Sequence, residues 1–128
     1  MRDECPFCVA EPERVRLENE VGQALRDLFP VTAGHTLVVP RRHVASLFDL
    51  SPEEQRQLWE LTRRTRELLQ TELQPDGYTI GLNEGMAAGQ SVPHAHIHVI
   101  PRRHGDVSDP TGGIRAIFPL KAHYWGAG

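Results

Sequence analysis

Apolar and polar residues alternate over residues 14–29, and a short polar stretch at residues 18–20 interrupts the alternation. A period of two is typical of a strand with one buried face, and a polar interruption between two such runs is typical of a tight turn. These residues therefore predict a hairpin of two short strands. The β-branched run HTLVVP at residues 35–40 predicts a third strand, because a loop with Pro and Gly precedes it and Pro40 ends it.

A helix signal begins at Ser51. Ser51 is suited to the N-cap and Pro52 to the first helical position, and Glu54 stands three residues after the cap, as in a capping box. Apolar or small residues then recur at helical spacing, which predicts one long helix with one side packed on a sheet. The residues of that side are Leu58, Leu61, Thr65, Leu68 and Leu73.

Two further strands are predicted after this helix. GYTIGLNEG at residues 77–85 predicts the fourth strand, MAAGQSV at residues 86–92 a glycine-containing loop, and HAHIHVIPR at residues 94–102 the fifth strand. Several neighbouring strands with one main helix favour an α+β domain built on an antiparallel sheet. The pattern of residues 108–125 predicts no regular element, and packing on a partner chain is one interpretation of its apolar run and aromatic residues.

Length and charge narrow the class of protein. The 128 residues, 39% of them hydrophobic, predict a single domain over residues 1–128. A net charge of -3 argues against a nucleic-acid partner. No run reaches the roughly 20 apolar residues of a membrane span, and the N-terminus lacks the apolar middle of a signal peptide, so we expect a cytoplasmic chain without a membrane partner. Four arginines could form a local rim that attracts a small anion: Arg41, Arg42, Arg102 and Arg103.

Three histidines, His94, His96 and His98, occupy every second position of the predicted fifth strand. Alternate side chains of a strand share a face, about 6.5 to 7 Å apart, so two neighbouring imidazoles can contact one tetrahedral anion. Satisfied structural histidines, a pH-sensitive patch and two ligands of a catalytic zinc are the competing interpretations. Nucleophilic chemistry is favoured over metal catalysis, because no acidic third ligand is evident nearby in the sequence.

A neutral imidazole suits attack on phosphorus. With an ordinary pKa near ~6.5 its nitrogen lone pair is available at pH 7 without a separate base. A neighbouring imidazole can donate a proton to a phosphate oxygen or to the departing group. The loop AGQS at residues 88–91 adds backbone N–H groups and the side chains of Gln90 and Ser91 around such a phosphate.

The pair Cys5 and Cys8 in CPFC is a local motif. It is compatible with a redox pair, with half of a zinc site or with two idle thiols. The redox interpretation needs a strand and a helix around the pair, which this Pro- and Glu-rich N-terminus does not offer. A zinc site needs two more ligands.

The pattern HAHIHVI, with CPFC and GHTLVVP upstream, resembles the histidine triad (HIT) superfamily of nucleotide hydrolases and transferases. The resemblance covers roughly residues 5 to 103. It implies an α+β fold with a five-stranded antiparallel sheet and one long and one short helix, and a homodimer formed by joining sheets. Within the single domain it implies a zinc-binding N-terminal segment, residues 1–12, and a C-terminal tail, residues 105–128.

The resemblance also implies a role for each matching residue. His96 is expected to attack the α-phosphate of a nucleoside phosphate conjugate and to form a covalent nucleotidyl-histidine. His98 is expected to contact the phosphate and to assist the leaving group, and Asp27 to bind the ribose hydroxyls, since a carboxylate can accept from both. His35 matches a position beside the nucleoside. Phosphate or bridging-oxygen contacts are expected from Asn83, Gln90 and Ser91.

The substrate implied is an adenine or other purine nucleotide, with Mg²⁺ as a companion of the substrate. Bacterial relatives and galactose-phosphate uridylyltransferases are similar to this chain in residues that bind a structural zinc. Here these residues are Cys5, Cys8, His43 and His94.

Two positions bear on the branch of the superfamily. Uridylyltransferases carry glutamine at the third triad position, where this chain has His98, which favours a hydrolase over a nucleotidyltransferase. Asn83 is typical of nucleoside phosphoramidases, whereas residues 88–90 are more similar to the diadenosine polyphosphate hydrolases or to a separate bacterial group. The hypotheses are therefore hydrolysis of a dinucleoside polyphosphate or of an adenosine phosphoramidate. The alternative class is a nucleotide-binding or scaffolding protein without turnover.

Overall fold

A five-stranded antiparallel sheet and one α-helix form the framework of the computed structural model, which describes residues 5–125. The strands follow the order β1-β2-β3-β5-β4, and each neighbouring pair is antiparallel. The elements are β1 Val15–Glu18, β2 Gly22–Arg26, β3 Thr36–Pro40, α1 Pro52–Leu73, β4 Gly77–Gly81 and β5 Ile97–Arg102. The predicted α+β class is confirmed, and the short helix of the prediction corresponds to 3₁₀ turns such as Leu47–Asp49.

The predicted hairpin is present, and Asn19 forms its turn. The Asn19 side-chain oxygen accepts hydrogen bonds from the backbone N–H groups of Val21 and Gly22, at 3.0 and 2.9 Å. Asn is suited to this role because its short side chain can bond to the backbone two or three residues ahead. The polar interruption of the sequence is therefore the turn itself.

The long helix begins with the predicted capping box. The Ser51 hydroxyl accepts from the Glu54 N–H at 3.1 Å, and the Ser51 N–H donates to the Glu54 carboxylate at 2.8 Å. One correction concerns the buried side: Leu69 is fully buried, whereas Leu68 is only half-buried. A step of four from Thr65 stays closer to the apolar stripe here than a step of three, because 3.6 residues complete a turn.

The fifth strand begins three residues later than predicted, at Ile97. Its ladder with β3 ends at the pair Val38 and Ile97. Pro40, two residues further along β3, has no N–H to continue the ladder, and Ala95 instead donates its N–H to the Val44 carbonyl at 2.7 Å. His94 and His96 therefore precede β5, and only His98 lies within it.

The fourth strand ends at Gly81 rather than at the predicted residue 85. Gly81 is opposite His98 near the start of β5, and the last paired residues of the two strands lie there. Residues 82–85 lie outside the strand.

The two faces of the sheet carry different partners. Helix α1 packs on one face, against Val38, Ala95, Ile97 and Val99. The other face carries Leu25, Leu37 and Val39, and the N-terminal residues Cys5 and Phe7 pack there. The alternation of residues 94–99 therefore directs its apolar members to the helix side, as predicted.

The ends of the chain are only partly described. Residues 1–4 of the predicted zinc-binding segment and residues 126–128 of the predicted tail lie outside the described residues. The rest of the tail forms two 3₁₀ segments, Gly113–Ile117 and Pro119–Lys121. Over residues 5–125, no helix has both the length and the apolar character that crossing a membrane requires.

Candidate active site

A cavity of about 370 Å³ lies on the sheet face opposite α1. Its volume is within the range of small-molecule binding sites. Five of the predicted site residues line it, together with mostly apolar side chains. The predicted residues are Asp27, His35, Ser91, His96 and His98, and their neighbours are Pro6, Phe7, Arg14, Leu28, Phe29, Val31, Leu37 and Val92.

His96 has one ring nitrogen bound and one free. Its Nδ1 lies 2.8 Å from the His94 carbonyl oxygen. Because a carbonyl only accepts, Nδ1 must carry the proton of the neutral ring, and Nε2 keeps its lone pair. Among residues 5–125 no hydrogen-bond partner occupies this Nε2. The His96 ring, 8% exposed, thus has the tautomer that a nucleophile requires.

His98 receives a hydrogen bond from His35, and the backbone fixes its direction. The Val31 N–H donates to His35 Nδ1 at 3.2 Å, so the proton of neutral His35 is on Nε2. This Nε2 lies 3.0 Å from His98 Nδ1 and 3.3 Å from the Asp27 carboxylate. His98 Nδ1 therefore accepts, and the proton of the His98 ring is on Nε2.

Burial keeps both of these histidines neutral. It is the main cause that lowers the pKa of His98 to about 4, and His96 and His35 lower it further while the Asp27 carboxylate opposes the shift. Burial likewise lowers the pKa of His35, again against the effect of Asp27. At neutral pH His98 therefore acts as a donor of a hydrogen bond through a neutral ring.

Asp27 provides the acidic third group that a catalytic metal site would need and that was not evident near the three histidines in the sequence. Its oxygen and one ring nitrogen each of His35 and His98 all lie within 4.8 Å of one another, as two histidines and one carboxylate do in a catalytic metal site. The bond from Val31 argues against a metal here. It leaves the His35 nitrogen within this group protonated, and a protonated nitrogen cannot ligate.

A second group of four residues has the geometry of a zinc site. Cys5, Cys8, His43 and His94 offer ligand atoms that all lie within 4.8 Å of one another. The His94 Nδ1 is 3.5 Å from each sulfur and 3.2 Å from His43 Nδ1, and the Cys8 sulfur is 3.0 Å from His43 Nδ1. In a tetrahedron with Zn–S of about 2.3 Å and Zn–N of about 2.0 Å, sulfur–nitrogen edges are about 3.5 Å and nitrogen–nitrogen edges about 3.3 Å.

The ring orientation of His94 also suits a metal ligand. Its Nε2 donates to the Pro40 carbonyl at 2.7 Å, so its Nδ1 keeps the lone pair toward the two cysteines. Such a backbone partner on the second nitrogen is usual for zinc-bound histidine. Three of the four separations given thus match a zinc tetrahedron closely, the fourth, between Cys8 and His43, is shorter at 3.0 Å, and the tautomer of His94 suits a metal ligand.

Comparison with known proteins decides the family. A family model described as the HIT domain matches residues 10–105. The chain belongs to the HIT family. A zinc-bound histidine triad family protein from Mycobacterium smegmatis has a similar structure, with a TM-score of 0.74 and 36% identity, over 83% of this chain and 80% of that one.

Two curated relatives of this HIT protein are named as dinucleoside polyphosphate hydrolases. The bis(5'-nucleosyl)-tetraphosphatase of Schizosaccharomyces pombe is 35% identical over 75% of this chain and 53% of that protein. The bis(5'-adenosyl)-triphosphatase of Dictyostelium discoideum is 38% identical over 79% of this chain and 67% of that protein. The chain therefore spans about half the length of the first relative and two thirds of the second.

Two predicted contacts of the HIT site do not lie on the cavity wall. Asn83 is exposed and is not among the lining residues. The Gln90 amide donates to the carbonyls of Ala45 and Val92 at 2.8 and 3.1 Å, and its oxygen accepts from the Gly85 N–H at 2.8 Å. In this arrangement Gln90 holds the loop, and the substrate contacts of both residues stay predictions.

Phe7 and Arg14 are two of the eight residues of the cavity wall that the sequence interpretation did not identify. Phe7 packs edge-on against the rings of His94 and His96, with centroid distances of 5.8 and 5.0 Å. Its position between Cys5 and Cys8 was the available signal. Arg14 is 6% exposed, although the alternation over residues 14–29 makes it one of the polar positions; it ends the 3₁₀ turn Pro12–Arg14, immediately before β1.

Proposed function

We propose that this HIT protein hydrolyses nucleoside phosphate conjugates, and dinucleoside polyphosphates in particular, through attack of His96 on the α-phosphorus. The observation that carries the proposal is the free Nε2 of His96 in a cavity of nucleoside size, beside a neutral His98. The names of the two curated relatives support the same reaction class.

The first step forms a bond between His96 Nε2 and phosphorus as the bond to the bridging oxygen breaks. The leaving polyphosphate takes the electron pair of that bond. The His98 Nε2–H donates a hydrogen bond to a phosphate oxygen and stabilises the charge that develops there. In the second step a water oxygen forms a bond to the same phosphorus as the bond from phosphorus to Nε2 breaks. His96 Nε2 takes back that electron pair, a water proton passes to the solvent, and the nucleotide is released.

The protonation of His98 favours a polyphosphate over an amine as leaving group. A polyphosphate departs as a stable anion, whereas the amine of a phosphoramidate must take up a proton as it leaves. With a pKa of about 4, the His98 of the unliganded chain is a poor source of that proton at pH 7. Phosphoramidates are therefore the second candidate substrates.

The nucleoside part of the substrate would bind against the rest of the cavity wall. The apolar side chains suit a purine base. The Asp27 carboxylate suits the ribose hydroxyls, since within the described part of the chain one of its oxygens accepts from the Phe29 N–H alone, at 2.8 Å, and the other faces His35. Ser91 on the opposite loop offers a hydroxyl to the phosphate. Asn83 and Gln90 are not part of this wall, and their contacts with the substrate stay predictions.

We also propose that Cys5, Cys8, His43 and His94 hold a structural Zn²⁺. Four protein ligands close a tetrahedron, so no position would be open for a substrate or a water, and the ion would stabilise the fold rather than take part in the reaction. Its place in the molecule is beside the reacting histidine, because His94 and His96 are two residues apart and both contact Phe7.

The test uses His96→Gly. Turnover of diadenosine tetraphosphate should fall by a factor of about 10⁴ or more, as losses of catalytic nucleophiles do. Wild-type protein quenched during turnover should show a nucleotidyl adduct by mass spectrometry, and the variant should show none. His104→Gly is the matched control, since its ring is exposed and outside the cavity.

A panel of diadenosine tetraphosphate, adenosine phosphoramidate and a nucleotidyl sugar identifies the leaving group. Full activity of His96→Gly would contradict the assignment of the nucleophile. Nucleotide binding without an adduct or turnover on any member of the panel would favour the scaffolding alternative instead.

A further inference from the structure

Arg14 is a buried cation on the wall of the nucleotide cavity that the proposed reaction does not use. Its side chain is 7% exposed, and within residues 5–125 its one ion-pair partner, Glu11, is 3.8 Å away and 62% exposed. A pair with so exposed a partner contributes little. Burial of a charge is unfavourable unless hydrogen bonds compensate for it. The hydrogen bonds of the Arg14 guanidinium must therefore provide that compensation.

Its hydrogen bonds join two separate segments of the chain. Nε and Nη2 donate to the Arg26 carbonyl at 3.1 and 3.0 Å. Nη1 donates to the Pro6 carbonyl at 3.3 Å. A planar guanidinium presents these donors in a fixed fork, so the two carbonyls are held at a fixed separation.

Each of these carbonyls is next to a residue that lines the cavity. Pro6 precedes Phe7, which packs on His96, and Arg26 ends β2 immediately before Asp27. The two walls belong to different parts of the fold, because Phe7 lies in the N-terminal segment and Asp27 follows a strand of the sheet. Within residues 5–125, Arg14 joins them by hydrogen bonds, in addition to the apolar packing of Phe7 with Leu25, Leu37 and Val39.

We propose that Arg14 is a positioning residue that fixes the base-side wall at Phe7 relative to the ribose-side wall at Asp27. The inference rests on the proposed function, since it takes this cavity to be the nucleoside site. A preformed cavity spares the bound complex the entropy loss of ordering the two walls. Arg14 has no hydrogen bond to His96 or His98, so its loss should weaken nucleotide binding and leave the chemical step unchanged.

The experiment compares Arg14→Met and Arg14→Lys with the wild type. Methionine keeps the apolar stem and removes the fork, and lysine keeps the charge but offers a single point donor. For both variants we expect the Kd for AMP, measured by calorimetry, to rise about tenfold, about 1.4 kcal/mol. KM for diadenosine tetraphosphate should rise similarly, and kcat should stay within about twofold.

The split between KM and kcat separates positioning from folding. A variant that merely folds poorly would lower the active fraction, and hence kcat, without changing the KM of the molecules that fold. Arg16→Met is the matched control: Arg16 pairs with Glu72 and is not on the wall of this cavity. Metal content and melting temperature of each variant are measured alongside.

The outcomes keep the two proposals apart. Wild-type affinity for AMP in Arg14→Met would overturn the positioning role while leaving the proposed function intact. Wild-type affinity in Arg14→Lys alone would overturn it too, because charge rather than the fork would then suffice. A wild-type protein that does not bind AMP would contradict the proposed function and the inference together.

Discussion

The histidines of residues 94–98 differ chiefly in which ring nitrogen the backbone occupies. The Pro40 carbonyl accepts a hydrogen bond from the Nε2–H of His94, and the His94 carbonyl accepts one from the Nδ1–H of His96. His94 therefore presents Nδ1 to the cysteines, and His96 presents Nε2 to the cavity. The two carbonyl oxygens therefore make His94 suitable as a metal ligand and His96 suitable as a nucleophile.

For single residues of the candidate site, the sequence predicted which side chains lie close together but not which ring nitrogens are protonated. Residues 94, 96 and 98 and CPFC were identifiable from type and spacing, whereas His43 was expected only from the family resemblance. The bond between His35 and His98 spans 63 positions of the chain, and the Val31 N–H that orients it belongs to a loop. Tautomers depend on such three-dimensional contacts, so no periodicity predicts them.

The lowered pKa of His98 predicts acid sensitivity. An unfolded chain binds this proton near the ordinary pKa of 6.5, and the folded chain binds it only near about 4. Between these values the unfolded state holds more protons, so the free energy of unfolding falls as the pH drops through this window and is fully restored above it. For this group alone the loss from pH 7 to pH 5 is up to about 2 kcal/mol.

His98→Asn removes the titrating ring. Urea unfolding at pH 7 and pH 5 should show a smaller difference in free energy for this variant than for the wild type, by about 1 to 2 kcal/mol. His104→Asn, which replaces an exposed ring, should leave the difference unchanged. An equal loss of stability in His98→Asn and the wild type would contradict the assigned pKa shift.

The elements predicted best are those whose ends or turns depend on residues close together in the chain. The capping box of α1 and the turn of the first hairpin use residues within three positions of one another, so the sequence contains all of their information. The start of β5 depends on where β3 stops offering N–H groups, 57 positions earlier, because Pro40 would be opposite Ala95 if the register continued. Residues 94–96 therefore had the pattern of a strand without its pairing.

The N-terminal segment should depend on its metal. Cys8→Ser removes one of four ligands, and we expect bound zinc to fall from one ion per chain to well below one. Loss of a structural metal site should lower the melting temperature by at least about 5 °C in a domain of this size. Val9→Ser is the matched control, since Val9 is the exposed neighbour in the same segment.

Elemental analysis by mass spectrometry and thermal denaturation in reducing buffer provide the two measurements. Wild-type protein without zinc, or Cys8→Ser with a full zinc complement and an unchanged melting temperature, would leave Cys5 and Cys8 as idle thiols. Because Phe7 lies between the cysteines and against His96, the nucleotide affinity of Cys8→Ser should also decline.

In the whole molecule, the sheet lies between the apolar core under α1 and the candidate site. One face packs the leucines of α1, and the other carries the cavity and the Cys/His cluster. The class of this architecture was predictable from the number and kind of elements. The order β3-β5-β4 was not, because it joins strands that are far apart in the chain.

The two edges of the sheet are unequal, which bears on the predicted homodimer. Edge strand β1 has charged side chains and an irregular register between Val15 and Leu17, both of which discourage pairing with another strand. Edge strand β4, with the sequence GYTIG, has neither a charge nor an irregular register. We therefore expect the sheets of two copies to join at β4.

Proline substitutions along β4 test this expectation. Neighbouring N–H groups of a strand point to opposite sides, so of Thr79→Pro and Ile80→Pro one removes a bond to β5 and the other only an outward donor. Light scattering should give the wild type twice the 14.4 kDa of one chain. The variant that loses the outward donor should keep its melting temperature within a few degrees and give the monomer mass, whereas the other should unfold more readily. A wild type that is monomeric at micromolar concentration, or two folded variants that both remain dimeric, would show that β4 is not the joining edge.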